Sequence, residues 1–544
     1  MRAIAVLLVS GLLLSANRAD AQTLTTGKAG GLPKAIRKIT EAIDKHLAAD
    51  WAERNITPAA VTDDAEFCRR VFLDILGRIP KPMEVRDFED DKAADKRMKL
   101  VDKLLSKPGY AAHQASHFRT QWLPETITDA FKFYTGEQFE AMLKKRLAKD
   151  LPMDTIVSEL LTVPVTLGPG GMMNFNPDPN NQDVAGMQAF YSALEAKPEN
   201  LGATVSRAFL GVKLECAQCH DHPFAPYKRE QFWNFAAFFG EFIPQAPPSP
   251  SFVGPIEPHA GKNKIKIPGL EKIVVAKFAD GTEPDWIPTK TPRQELAEWV
   301  ASSQNPYFAK NIVNRMWQQY FGVGPLDPID EPGDGNPPSH PKLLNELARC
   351  FLDADCDLKT LIRGMTMSKA YQLSSKQSHP SQGDPRRFAR MNLKGMTGSQ
   401  IYESFVTATG MRMKQQDPNT YYETSSDGVS RFAYRNLFPT PSKPMDVQTS
   451  ILQALTVMNG KLMADQTSLD KSTLLAAVAD APFFDTAKKV EALYYAAFGR
   501  APTAEEAEKF TSYVERGGPS GDKGKALGDV FWVLLNSAEF LFNH

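Results

Sequence analysis

Hydrophobic positions along this chain recur mostly at helical spacing. Ile36, Ile39, Ile43 and Leu47 follow each other at steps of three or four and predict a helix over 36–51. The same period predicts helices over 65–76, 82–88, 97–105, 110–122, 139–147, 153–161, 187–194 and 205–210. An aromatic helix is predicted over 229–239, with Phe232, Trp233, Phe235, Phe238 and Phe239. The period returns over 294–301, 306–321, 342–351, 358–367, 398–409, 447–458, 488–498, 504–514 and 526–542. Strand-like patterning is confined to 264–267 and 273–275, which predicts a small β insertion near 260–282. The expected fold is therefore mainly α, with multi-helix domains and long irregular loops.

Punctuation residues divide the chain. A stretch rich in glycine, proline and asparagine over 167–183 reads as a loop, and the proline-rich stretch 242–258 reads as a linker. The expected organisation is a helical domain over 36–241, a linker with short strands over 242–290, and a second helical domain over 291–544. One pattern occurs twice. Gly77-Arg78-x-Pro80 is followed by Glu84 and Phe88, and Gly499-Arg500-x-Pro502 is followed at the same spacings by Glu506 and Phe510. A glycine closing one helix and a proline opening the next is the usual asymmetry of helix ends. The repeat reads either as convergent helix-turn-helix punctuation or as two related helical units, one near each end of the chain, packed together; the second reading is preferred.

The first residues differ in character. Arg2 precedes an apolar run from Ala3 to Ala16, and Ala19-Asp20-Ala21 follows as a small-residue cleavage site. Residues 1–21 thus read as a secretory signal cleaved after Ala21, and the run is too short to span a bilayer. With no later apolar segment long enough to anchor it, an exported, periplasmic or extracellular protein is expected. Formal net charge is −1, so no global field recruits nucleic acid or an anionic membrane.

The chemistry concentrates in Cys216-Ala217-Gln218-Cys219-His220-Asp221-His222. C-x-x-C-H is the attachment pattern of a c-type haem: two thiols supply thioethers and the adjacent imidazole, His220, ligates iron. The sixth ligand would come from elsewhere, with His113, His117, Met172 and Met173 as candidates. A second reading uses His222 as well. Cys216, Cys219, His220 and His222 offer two thiolates and two imidazoles, a set suited to zinc or copper, with His113 or His117 relieving a cramped loop. A third makes Cys216 and Cys219 a disulfide or redox pair, with the histidines only hydrogen-bonding a loop. Five cysteines are present. Cys350 and Cys356 flank a short turn, close enough for a disulfide in an oxidising compartment, and Cys68 reads as a buried small hydrophobe.

The motif and its surroundings, from Phe209-Leu210-Gly211-Val212 through His220-Asp221-His222-Pro223-Phe224 and on to Phe232-Trp233-Asn234-Phe235, resemble a secreted cytochrome-like domain abundant in planctomycetes. That domain of unknown function is number 1549. Asn305-Pro306-Tyr307-Phe308-Ala309, Val313-Asn314-Arg315-Met316-Trp317, Ser368-Lys369-Ala370-Tyr371-Gln372-Leu373 and the final Leu534–His544 are similar to its usual partner, domain of unknown function 1553. Where the partner domain usually has an Asp-Phe-Arg-like step, this chain has Asp330-Glu331-Pro332-Gly333. The resemblance covers nearly all of the chain after residue 21 and implies the two-domain order.

Other candidates read as structural. Ser339 looks like an N-cap for the helix after it, and His340 beside it is only secondarily a ligand or base. Arg315 and Trp317 read as an interdomain packing pair, Asp327 and Asp330 as solvated loop acids, and the aromatic run over 232–239 as helical core. Two classes of function stay open. One is an exported electron-transfer protein with a redox partner. The other is a metal-dependent enzyme or binding scaffold acting on extracellular polymers.

Overall fold

The structure, a computed structural model, describes residues 32–123, 130–167, 182–222, 225–242, 254–255, 263–333, 335–411, 444–445 and 460–544. Residues 1–21, which read as a secretory signal, Met172, Met173 and the helix expected over 447–458 lie outside the described residues.

The architecture is mainly α. The first helices are α1 (Lys34–Glu53), α2 (Asp64–Leu76), α3 (Pro82–Asp90), α4 (Lys96–Leu105) and α5 (Pro108–Trp122). They are followed by α6 (Ala130–Ala148), α7 (Met153–Thr162), α8 (Gln182–Ala193), α9 (Pro198–Leu210) and α10 (Arg229–Ala236). After the proline-rich stretch come α11 (Pro292–Ala301), α12 (Phe308–Phe321), α13 (Pro341–Leu352), α14 (Leu358–Met367) and α15 (Gly398–Thr409). The last group is α16 (Lys461–Gln466), α17 (Thr473–Ala479), α18 (Thr486–Phe498), α19 (Ala504–Glu515), α20 (Lys523–Leu535) and α21 (Ala538–Leu541). Strand structure among the described residues is limited to antiparallel pairs. β1 (Thr166–Leu167) pairs with β2 (Gly254–Pro255), and the expected β insertion is β3 (Lys264–Lys266) against β4 (Ile273–Val275). Lys394–Gly395 pairs with Phe542–Asn543, which ties the end of the chain into its middle. Among the described residues no helix is long and apolar enough to cross a membrane.

Two predicted helices are broken. The aromatic helix stops as an α-helix at Ala236 and continues as a tighter 3-10 stretch, Ala237–Phe242. The terminal helix ends at Leu535, and Ser537 caps a new turn by accepting from the Phe540 N–H. Periodicity ran through both breaks because buried aromatics continue on each side.

One apolar core takes residues from both sides of the proline-rich stretch. Ile39, Ile43 and Leu47 of α1 belong to it together with Leu343 and Leu347 of α13 and Leu361 and Ile362 of α14. Arg293 of α11 is buried and reaches back across the stretch. It donates to the carbonyls of Leu161 (3.0 Å) and Val163 (2.8 Å) and pairs with the buried Glu241. A second core gathers α15 and the helices after 460, and takes in Leu73 and Ile79.

The repeated pattern has one local structure in both places. Gly77 and Gly499 end α2 and α18 in the left-handed region, at φ 69° and 72°, where a side chain would be strained. Arg78 then forks onto Glu84 at 2.9 and 3.0 Å, and Arg500 onto Glu506 at 2.8 and 3.0 Å. Each glutamate also accepts the N–H that opens its helix, from Lys81 (2.8 Å) and Thr503 (2.7 Å). The two units pack together through α3 and α18, with Arg86 near Glu491 and Tyr495 donating to Glu89.

The Arg500 fork predicts an acid dependence. Hydrogen bonds from Arg500 hold the Glu506 carboxyl down to about 2, from an ordinary value of 4.5. The folded pKa is depressed, so this stabilisation is complete above about 4.5 and fades as pH falls toward about 2. A Glu506→Gln variant should lose stability at neutral pH and show a shallower loss than wild type across that window in urea melts. Equal slopes for the two proteins would remove Glu506 from the acid response.

Candidate functional site

The cysteine motif is placed by the end of α9. Gly211 stops that helix at φ 66°, and a Cβ there would lie 2.7 Å from Oδ1 of Asn311 on α12. Asn311 uses its amide to donate to the Ala208 carbonyl at 2.8 Å, so α9 and α12 are locked where the motif begins. The Val212 N–H then returns to the Ser206 carbonyl, and the Lys213 N–H docks on the Asp330 carbonyl at 2.9 Å. Leu214–Ala217 follows as a 3-10 turn.

The turn itself is pinned by its carbonyls. Gln218 accepts from Trp233 Nε1 (3.0 Å) and Arg229 Nε (3.3 Å). Asp221 accepts from the Arg229 N–H and from Lys228 Nζ, both at 2.9 Å. His220 is exposed, and its Nδ1 lies 2.7 Å from the Asp221 carbonyl. His222 has its N–H on the Tyr227 carbonyl and its ring beside that tyrosine. Cys216 is half-buried and Cys219 exposed, and both are free thiols. Burial raises the Cys216 thiol above its ordinary pKa, against the opposing pull of Lys213. It is a protonated thiol at neutral pH rather than an activated thiolate.

Among the described residues no three histidine, cysteine, aspartate or glutamate side chains are grouped to hold one metal. The aromatic run behind the motif faces inward: Phe232, Phe235, Phe238 and Phe239 are buried in the core. Those rings support the turn from behind. Cys350 is half-buried and Cys356 buried, and both are free thiols. Burial pushes the Cys356 thiol up to about 12. Cys68 is fully buried, as its apolar helical face suggested.

His113 and His117 share one face of α5, and that face lines a cavity of about 750 Å³. Its other walls come from α9, α12, the 327–331 loop, the start of α15 and the chain end at Asn543. Lys213, just before the cysteine turn, also lines it. His113 sits against Gly77, where a Cβ would lie 2.4 Å from its Nδ1. His117 Nε2 is enclosed with no hydrogen-bond partner among the described residues. Burial, with His113 and Arg315 adding to it, pushes the His117 imidazole down to about 3, so the ring is neutral near pH 7.

Several residues that read as structural line this cavity. Arg315 is almost fully buried, pairs with Asp330, and donates to Asn311 Oδ1 (2.9 Å) and to the Arg207 carbonyl (2.7 Å). Asp330 is therefore an ion-pair partner rather than a solvated acid, and Asp327 lines the same space. Trp317 is buried and stacks on Phe321 at 4.2 Å, a packing role. Ser339 does not cap α13. Its hydroxyl lies 3.0 Å from His340 Nδ1, and His340 occupies the cap position without a side-chain cap bond. A buried pair crosses the cavity floor: Lys394 Nζ meets Asp74 at 2.6 and 2.7 Å. No local pattern marks Asp74, Lys394 or Asn543 as neighbours, because only the pairing of the chain end with 394–395 brings them together.

Residues 42–243 match the family model PSCyt2, a protein of unknown function (DUF1549). Residues 292–438 match PSD1, a protein of unknown function (DUF1553). No curated protein and no solved structure matches the chain. The two matches fall on either side of the proline-rich stretch, with the cysteine turn in the first and Arg315 and Asp330 in the second; the chain belongs to the two-domain family in which DUF1549 is followed by DUF1553.

Proposed function

We propose that this is an exported electron-transfer protein that carries a c-type haem on the Cys216–His220 turn. The observation that carries this reading is the posture of His220. It is exposed, and its Nδ1 lies 2.7 Å from the Asp221 carbonyl, which leaves Nε2 as the nitrogen that would hold the iron. The donor set fits. Cys216 and Cys219 are free thiols on one turn whose Gln218 carbonyl is fixed by Trp233 and Arg229. A bound haem would supply reversible one-electron chemistry at iron.

The protein's part is positional. Gly211 and Asn311 fix the entry to the turn, Asp221 fixes its exit, and the buried aromatic cluster gives it a rigid back. The exposure of Cys219 and His220 leaves the turn open to a redox partner. Residues 1–21, read as a secretory signal, support attachment outside the cytoplasm. A zinc or copper site on the same turn is the alternative. It would have to bring Cys216, Cys219, His220 and His222 together, because no such group exists among the described residues.

Haem staining of a denaturing gel separates the two. After export in a host with c-haem maturation, the wild-type chain should keep covalent colour, and Cys216→Ala or Cys219→Ala should lose it. His222→Ala should leave it unchanged. A colourless wild-type chain, or equal loss on His222→Ala, would contradict the haem reading.

A further inference from the structure

We propose that the cavity between α5, α12 and the 327–331 loop binds a neutral, hydroxyl-rich small molecule, of the chemical class of a short oligosaccharide. The proposal is independent of the haem reading, since Cys216, Cys219 and His220 do not line this space. The volume, about 750 Å³, lies within the range of roughly 300–1,000 Å³ typical of organic ligand sites.

Charge chooses the ligand class. The cations facing the cavity are already matched. Lys394 pairs with Asp74 at 2.6 Å, Arg315 with Asp330, Lys213 with Glu331 at 3.4 Å, and Arg207 stands 3.9 Å from Glu215. An anionic ligand would have to break one of these pairs and leave a carboxylate without its partner, and of the lining carboxylates Asp74, Asp330 and Glu331 are already engaged. His117 adds no charge, because burial keeps its ring neutral.

Hydrogen bonding narrows the class further. His117 Nε2, both ends of the Gln319 amide and Gln121 Oε1 are enclosed without a partner among the described residues. Native structures rarely leave such groups unmatched, and each unmet bond costs about 1–3 kcal/mol. Amides and a neutral imidazole offer donors and acceptors together, and a hydroxyl group answers both. Leu123, Pro328 and Ile329 supply apolar surface for the ring faces between hydroxyls. Ordered water alone would meet the polar groups without using that apolar surface, and the test separates the two occupants.

The test uses the full mature chain with cellobiose, xylobiose, mannobiose and maltotriose as neutral probes, and glucuronate and glucose 6-sulfate as charged ones. Binding is read as the rise in Tm and by calorimetry. At least one neutral probe should bind. Its affinity should fall about tenfold or more in Gln319→Leu and in His117→Phe, the equivalent of roughly 1.4 kcal/mol. The Tm of each variant without sugar should stay at or above that of wild type, because each substitution removes an unmatched buried group. If one variant fails to fold, the other and Gln121→Leu decide. Binding of no neutral probe, preference for the charged ones, or undiminished affinity in the variants would overturn the proposal and leave water as the occupant.

Discussion

Asp74→Ala is expected to destabilise the protein by about 3–5 kcal/mol, the usual consequence of removing one member of a buried ion pair. Asp74 and Lys394 are each only 3% exposed. Burial pushes the carboxyl pKa up and the ammonium pKa down, so each charge depends on the other. Asp74 also accepts from Tyr371 Oη and Asn543 Nδ2, both at 2.7 Å. Alanine would strand a buried ammonium with only the Gln319 and Tyr320 carbonyls, and would orphan two further donors. Asp74→Asn keeps an acceptor for Tyr371 and should lose less. The double variant Asp74→Leu with Lys394→Met should recover roughly half the loss or more, because no charge is then left unpaired. Urea melts followed by circular dichroism give the values. A loss under about 1 kcal/mol for Asp74→Ala would show that water reaches Lys394 and that the pair is not sealed.

Arg69→Leu should be as damaging, by another route. Arg69 is fully buried, and among the described residues no carboxylate pairs with its guanidinium; the group is spent on backbone. It donates to the carbonyls of Ala497 (3.1 Å), Glu539 (2.9 Å) and Phe540 (3.1 Å), with Phe498 and Phe542 farther off at 3.5 and 3.4 Å. It thereby ties α2 to the ends of α18 and α21, helix termini whose carbonyls have few other donors. Leucine leaves those carbonyls buried without partners, at about 1–3 kcal/mol each, so a total on the order of 4 kcal/mol is expected. The loss should be local first: limited proteolysis should cut within 460–544 in the variant before it cuts elsewhere. Arg69→Lys should not restore it, since one ammonium cannot reach both helix ends. Cleavage spread evenly along the variant chain would contradict the tie.

These two residues show what the sequence made legible. Elements set by local rules were readable: α14 matches its predicted bounds of 358–367, and the short strands fall at 264–266 and 273–275 as their alternation suggested. The Gly-Arg-x-Pro repeat was readable for the same reason, since each copy is a helix stop, an arginine fork and a helix start within a few residues. The cysteine turn was readable as a pattern, and its carbonyl anchors, Gln218 and Asp221, lie within or next to it. The cavity was not. Asp74 and Lys394 come from distant parts of the chain, and Arg315 and Asp330 read as packing and solvent because helical periodicity cannot tell a buried polar face from an apolar one. His113 and His117 were correctly placed on one face, but the wall they form faces Arg315 rather than Cys216.

An absorption spectrum with metal analysis, taken on the exported protein from a host that matures c-type haem, tests the central claim most directly. The account predicts a Soret band from covalently held haem that survives acidified-solvent extraction and vanishes in Cys219→Ala. A colourless protein holding one zinc or copper per chain, lost in His222→Ala, would contradict it, as would a chain with neither.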